Sequence, residues 1–353
     1  MKKTLFSLSL LVMMGIYTSC STNVDLYADY KDIPIVYGLL DVTQDTNFIR
    51  INRAFSSSND NPINALEVAL IADSCNYPGK LNAKIYRLGK TSSSFSEYTI
   101  EDSVALDTMT LHNKQEGIFY SPDQKVYYTV TTQGNQSNAF FKTNTAQKSY
   151  KYKLVVLKGN DIVTSETSLV GGEEFKIAIN RIYFTSEPTD KVENAYFRLA
   201  ENAMVYDMKM RFDYQELRNG QLTDKCVEWS LGAKSLSELS YDDQSGLPYY
   251  SVSRNALFTQ LGSAIGGDTI NVVRYFDNQD AFVISLAAGG DELYNYIQVN
   301  NTSSSYTQNI PDYTNVKGGY GVFSSRINIQ SSVTLSPNTQ RELFNMPWGF
   351  VQR

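Results

Sequence analysis

The sequence predicts a mainly β protein. Hydrophobic residues alternate with period two through most of the chain, and turn-forming residues separate these stretches. Helix-period patterns are confined to a few short segments. The clearest stretch is VYDMKMRFDYQEL. Tyr206, Met208, Met210, Phe212 and Tyr214 share one face, and Asp207, Lys209, Arg211, Asp213 and Gln215 share the other. A half-buried strand separates the two sets, whereas a helix scatters them.

Taken in chain order, IPIVYGLLD and TNFIRINRAF read as an opening strand pair around Gln44-Asp45. INALEVALIADS reads as an inserted helix. KVYYTVTT follows the turn residues Ser121-Pro122-Asp123. SYKYKLVVL runs into Lys158-Gly159-Asn160-Asp161 and returns as IVTSETSLV, a hairpin like the one that closes an immunoglobulin-like sandwich. Gly171-Gly172 marks a boundary. Past VYDMKMRFDYQEL, Asn219-Gly220 is the preferred pair for a type I′ hairpin turn. The return strand KCVEWSL has Val227, Trp229 and Leu231 on one face and Cys226 on the other. TINVVRYF and AFVISLAAG read as central strands, and RINIQSSVTL alternates near the end.

Three later helices carry capping signals. Ser253 caps NALFTQLGSAI, which Gly266-Gly267 stops. Asp291 caps ELYNYIQV. Ser336-Pro337 opens NTQRELFNM, with Pro at the first helical position. The predicted organisation is a segment 1–19, a tether 20–32, an immunoglobulin-like β-sandwich 33–170, a β-rich domain with two helices 173–335, and a C-terminal helix and tail 336–353.

The start, MKKTLFSLSLLVMMGIYTSC, has the layout of a secretory signal: Lys2 and Lys3, a largely apolar run from Leu5 to Ile16, and small residues before Cys20. The apolar run is shorter than the about 20 residues a spanning helix needs. With Cys20 at the cleavage position, the segment resembles a bacterial lipobox, which implies cleavage before Cys20 and attachment of diacylglycerol and palmitate there. Tyr17 stands where many lipoboxes carry Leu. One acyl chain anchors only marginally, and two or more anchor stably. The chain is thus expected at the outer membrane, on either its periplasmic or its external face.

The formal net charge is -6, which disfavours nucleic acid and anionic lipid as partners. Cys75 and Cys226 are the cysteines besides Cys20. One disulfide between them suits an oxidising compartment; two buried free thiols are the other reading, since they fall in different units. The single histidine, His112, lies in the polar stretch TLHNKQEG, and no Gly-x-Ser-x-Gly elbow accompanies it. One histidine and two distant cysteines do not make a zinc site. Asp277-Asn278-Gln279-Asp280 lacks the Gly and terminal Glu of a calcium loop and reads as an Asx turn. No catalytic residue, cofactor or metal ligand is assigned. Of the 25 tyrosines most fall in strands; Tyr249-Tyr250, and with them Trp348, are candidates for surface contact. Asp102-Ser103-Val104, Asp107-Thr108-Met109 and Asp268-Thr269-Ile270 resemble the Asp-Ser/Thr-aliphatic acceptors of Bacteroidetes O-glycosylation, the first two in an expected loop.

Residues 313–326, YTNVKGGYGVFSSR, resemble the closing signature of a Bacteroidetes lipoprotein family, domain of unknown function 4249. Tyr313, Thr314, Asn315, Val316, Gly318, Gly319, Gly321, Val322 and Phe323 carry the likeness, and VISLAAGGDELYNYIQV resembles the element before it. The opening YKDIPIVYGLLD departs from the family's usual first strand. The resemblance implies an accessory role beside a TonB-dependent outer-membrane barrel and carries over no catalytic residue. Physically, the three glycines permit positive φ and close backbone approach, as at a bulge or tight crossing.

The expected function is a non-catalytic, lipid-anchored accessory or binding component whose ligand is not specified. An adhesin or fimbrial subunit is the first alternative, although a terminal helix suits strand exchange poorly. A carboxylate-dependent glycan hydrolase is the second.

Overall fold

A computed structural model describes residues 32–54, 75–91, 97–112, 123–131, 139–184, 192–266, 271–302 and 312–352. The signal-like segment, Cys20, the tether up to residue 31, the helix read over INALEVALIADS and the triplet Asp268-Thr269-Ile270 lie outside the described residues. Among those residues are seventeen strands and three helices, so the fold is mainly β.

The strands of the first half are β1 (Pro34–Leu40), β2 (Thr46–Arg53), β3 (Asn82–Thr91), β4 (Thr99–Ala105), β5 (Asp107–Leu111), β6 (Gln124–Val130), β7 (Lys148–Lys158) and β8 (Asp161–Thr167). After β9 (Arg181–Ile182) and β10 (Val192–Tyr196) comes the long hairpin of β11 (Ala203–Arg218) and β12 (Gln221–Ser235). Then follow β13 (Ser240–Tyr241), β14 (Pro248–Ser253), helix α1 (Arg254–Ile265), β15 (Val272–Tyr275), β16 (Phe282–Gly290), helix α2 (Asp291–Thr302), β17 (Tyr320–Leu335) and helix α3 (Pro337–Asn345).

Ten of the strands form one sheet, whose path runs β12-β11-β16-β17-β1-β2-β6-β5, with β15 on β11 and β9 on β17. A second sheet has the order β4-β3-β7-β8, and β10-β14-β13 make a third. Alternation places the inward residues. In β7, Tyr150, Tyr152, Leu154 and Val156 are buried while the lysines between them face outward. They meet Val36, Leu40, Ile49, Ile51 and Phe323 of the opposite sheet in one hydrophobic cluster. The Tyr152 hydroxyl donates to the carbonyls of Phe140 and Lys142 and accepts from the Lys142 amide, which pins the segment leading into β7.

A second core lies on one face of β11, where Tyr206, Met208, Met210, Phe212 and Tyr214 are all buried. The Asn219-Gly220 turn has φ of 51° and 77°, as a type I′ turn requires. Val227 and Trp229 of β12 join this core and Cys226 faces outward. Helices α1 and α3 pack on it. Ser253 caps α1 through the Ala256 amide, and Ser336 caps α3 through the Thr339 amide. TINVVRYF differs from its expected central place: β15 has only four residues and pairs with β11 alone among the strands.

β17 belongs to both cores. Residues 320–325 pair in parallel with β1, and residues 326–333 pair antiparallel with β16. The segment that resembles the lipoprotein signature therefore closes the first unit, although it follows most of the second in sequence. Its parts are structural. The Asn315 side chain donates to the Phe323 carbonyl at 2.7 Å and accepts from the Phe323 amide at 2.9 Å, as a neighbouring strand would. Thr164 of β8 and Lys317 exchange both backbone hydrogen bonds. A Cβ at Gly319 would lie 2.6 Å from the Pro34 carbonyl oxygen, and one at Gly321 would overlap the Val36 carbonyl. The glycine run is a tight crossing between β8 and β1.

Glu292, at the start of α2, locks this seam. Its Oε2 accepts from Thr167 of β8 and Ser324 of β17, both at 2.9 Å. Burial holds its carboxyl above the usual carboxylate range, although those hydroxyls partly offset the effect.

Gly321 has φ of 110° and no room for a side chain, so Gly321→Ala should lower stability by about 2 kcal/mol or more in urea unfolding. The control Gly79→Ala, with open space around it, should change it by no more than about 0.5 kcal/mol. Equal effects would remove the tight-crossing account. Because the folded state favours protonated Glu292, its contribution to stability is lost as pH rises through the folded pKa and recovered below it. Glu292→Gln keeps an acceptor without the charge. It should be the more stable form at neutral pH and lose the advantage near the ordinary carboxylate pKa, as paired unfolding titrations would show.

Candidate functional site

The ladder on β11 changes partner partway along. Phe212 still pairs with Phe282 of β16, but Gln215 pairs with Tyr275 of β15. The chain between those partners, residues 276–281, bulges out and opens a groove of about 970 Å³. The bulge is held by the Asp213 amide on the Ala281 carbonyl at 2.7 Å and the Ala281 amide on the Asp277 carbonyl at 2.8 Å. Asp277 Oδ1 accepts from the Gln279 amide at 2.9 Å, the Asx turn its sequence suggests.

One part of the lining is aromatic. Phe276 stacks on Phe344 of α3 with ring centroids 5.4 Å apart and planes at 16°, and Phe350 meets Phe276 edge-on. Phe350 comes from the C-terminal tail, which Arg274 fastens. The Arg274 amide donates to the Gly349 carbonyl, its carbonyl accepts from the Val351 amide, and its Nη1 reaches the Trp348 carbonyl at 2.5 Å. The guanidinium is 2 % exposed and forms an ion pair with Glu216 at 2.8 Å. Such a buried pair depends on both partners being present. Tyr214 sits beside it, its hydroxyl raised by burial and partly lowered again by Arg274.

The other part is a set of planar polar groups. Asp213 is paired with Arg211 at 2.9 Å, and Gln215 donates to Asp224 at 2.9 Å. Lys225 and Asp280 also line the groove. Asn278 Oδ1 is shielded from solvent and has no hydrogen-bond partner. Cys226 pairs with Asp213 in the ladder, is exposed, and carries a free thiol.

The structure moves several residues singled out by sequence. Cys75 and Cys226 do not bridge each other and neither is buried, so the picture of two buried thiols is corrected: Cys226 lies on the solvent face of β12. His112 meets Asp123 at 2.8 Å, with both side chains largely exposed. Trp348 is not a surface residue: the tail folds back and sets it on Phe258 at 5.8 Å and over Gly262. Tyr250 is buried too, its hydroxyl donating to the Tyr206 carbonyl at 2.7 Å, while Tyr249 is half-buried against Tyr196. Asp102-Ser103-Val104 and Asp107-Thr108-Met109 lie in β4 and β5 rather than in a loop, because buried Leu106 between them passes the chain from one sheet to the other. Both strands are sheet edges.

Among the described residues no group of three or more His, Cys, Asp and Glu side chains is arranged to hold a metal ion, and no helix is long and apolar enough to cross a membrane. Two carboxyls held above their usual range by desolvation, Glu201 and Glu292, lie away from the groove. No protein-family model matches the chain, and a search of curated proteins finds no match.

Cys226 stands exposed in the groove lining and Cys75 is partly covered, so maleimide should alkylate Cys226 first in the native protein, as peptide mass mapping over time would show. Faster reaction at Cys75 would contradict this arrangement.

Proposed function

We propose that the chain is a lipid-anchored outer-membrane lipoprotein, a non-catalytic accessory or binding component that works near a TonB-dependent transporter. The observation that carries this reading is the order at the N-terminus: two lysines, an apolar run, small residues and Cys20. The resemblance in residues 313–326 supplies the transporter. The groove beside the β11–β12 hairpin is the surface this reading assigns to binding.

Three further observations bear on it. The sheet orders β1-β2-β6-β5 and β4-β3-β7-β8 agree with an immunoglobulin-like sandwich carrying one added edge strand. The Tyr152 hydroxyl, tied to backbone just upstream, agrees with the tyrosine corner of such domains. The C-terminal tail is locked by Arg274 and by the burial of Trp348 and Phe350, which weighs against donating it to another subunit as a fimbrial strand.

Replacing Cys20 tests the anchor. Cys20→Ser should abolish labelling by radioactive palmitate and move the protein from the membrane fraction to the soluble fraction. A variant that stays membrane-bound would sink the anchor reading. Pull-down of the wild-type chain from detergent-solubilised outer membrane should recover a barrel protein, and protease treatment of intact cells reports which face it occupies.

A further inference from the structure

We propose that one end of the first unit rests on the lipid surface, with Leu157, Ile162 and Tyr320 set among the headgroups. This extends the anchor reading above and rests on it.

The end is built from three pieces of chain. Leu157 of β7 and Ile162 of β8 lie opposite each other beside the turn from Lys158 to Asp161. Tyr320 opens β17 and lines one cleft with Ile162, Pro34 and Asp32. All three large side chains meet solvent: Ile162 is 61 % exposed, Tyr320 48 % and Leu157 40 %. Single exposed hydrophobic residues are ordinary, but several gathered at one tip mark a contact surface.

The position of Asp32 indicates what covers it. The Lys158 ammonium holds Asp32 at this tip, donating to its carbonyl at 2.7 Å and meeting its carboxylate at 3.4 Å. The Tyr77 hydroxyl donates to the same carboxylate at 3.2 Å. Cys20 lies twelve residues before Asp32, a span of at most about 40 Å. A lipid on Cys20 therefore keeps this end, before any other, within reach of the bilayer. Contact made at the root of a tether is intramolecular, so a few side chains suffice where free binding needs many. A second copy is the poorer occupant. A stable interface takes about 800 Å² from each partner, and three side chains fall short of that.

The chemistry of the tip agrees. A tyrosine ring suits a boundary that is apolar on one side and wet on the other. Asp32 and Asp161 both lie 3.4 Å from Lys158, and exposed Lys317 balances the second carboxylate. These segments thus carry no net charge, and zwitterionic lipid is sufficient.

Hydroxyl-radical footprinting of the full chain tests the contact. It compares the lipoprotein in phosphatidylcholine vesicles, at large lipid excess, with the soluble Cys20→Ser variant beside the same vesicles. Val130 is the internal control: it is 64 % exposed and pairs with Thr46, seven residues or about 23 Å along β2 from the Arg53–Pro34 pair. In vesicles Leu157, Ile162 and Tyr320 should oxidise severalfold more slowly than in the soluble variant, with Val130 unchanged. Ile162→Asp, a change at an exposed site, should return Tyr320 towards the soluble rate without detaching the protein. Oxidation of Ile162 at its soluble rate in vesicle-bound protein overturns the proposal, as does equal slowing at Val130. Slowing that appears in the soluble variant and grows with protein concentration would put a second copy there and reject lipid. Slowing seen only in native outer membrane, and absent in pure lipid, would assign the tip to a protein partner and reject lipid as well. A chain that fails to float with vesicles removes the anchor reading and this contact together. One that floats with Ile162 unprotected loses only the contact.

Discussion

Every buried backbone amide must find a partner, and β17 meets that constraint by pairing with β1 and β16 in turn within one sheet. Its first half completes the sandwich beside β1, and its second half is an inner strand of the other core. The two units are therefore joined by a continuous ladder of hydrogen bonds as well as by a linker. Asn315 extends the logic where the ladder runs out, with its side-chain amide standing in for a peptide group against Phe323. Ser324 and Ser325, fully buried at the handover, spend their hydroxyls on Glu292 and on the Leu40 carbonyl. Removing polarity there would leave unpaired groups inside both cores.

Much of the second unit was legible because its signals are local. The alternation in β11, the Asn219-Gly220 turn and the capping serines at 253 and 336 each specify their element within a few residues. β3 was illegible for the opposite reason. It stays in register with β7 throughout, but Arg87 takes the place opposite buried Tyr152 while Leu88 falls opposite Lys151, so the period-two pattern breaks halfway. The partition of β17 leaves no local trace either, since nothing near Tyr320 announces that Ile35 lies opposite. The glycine run was readable as a close backbone approach, but which strands approach one another was not.

The groove was still less accessible to sequence reasoning. Its lining comes from the β11–β12 hairpin, the 276–281 bulge and the C-terminal helix and tail, and only folding brings them together. The Asx turn at Asp277 could be read, but not that the bulge would set Asn278 in a cavity wall. Trp348 misleads because an aromatic residue close to a turn or chain end suggests exposure. Arg274 reverses that expectation by giving the tail three backbone hydrogen-bond partners.

The pairing of β1 with β17 has a consequence for biogenesis. The Ser325 hydroxyl and the Leu40 carbonyl it contacts are 285 positions apart in the chain. β1 is made early in synthesis, and its edge stays open until nearly the whole polypeptide has followed. Contacts at such separation form slowly, and an open apolar edge invites pairing with other chains. The first core is thus begun early in synthesis and completed last, which leaves it open to mispairing for longer than its small local hairpins would suggest.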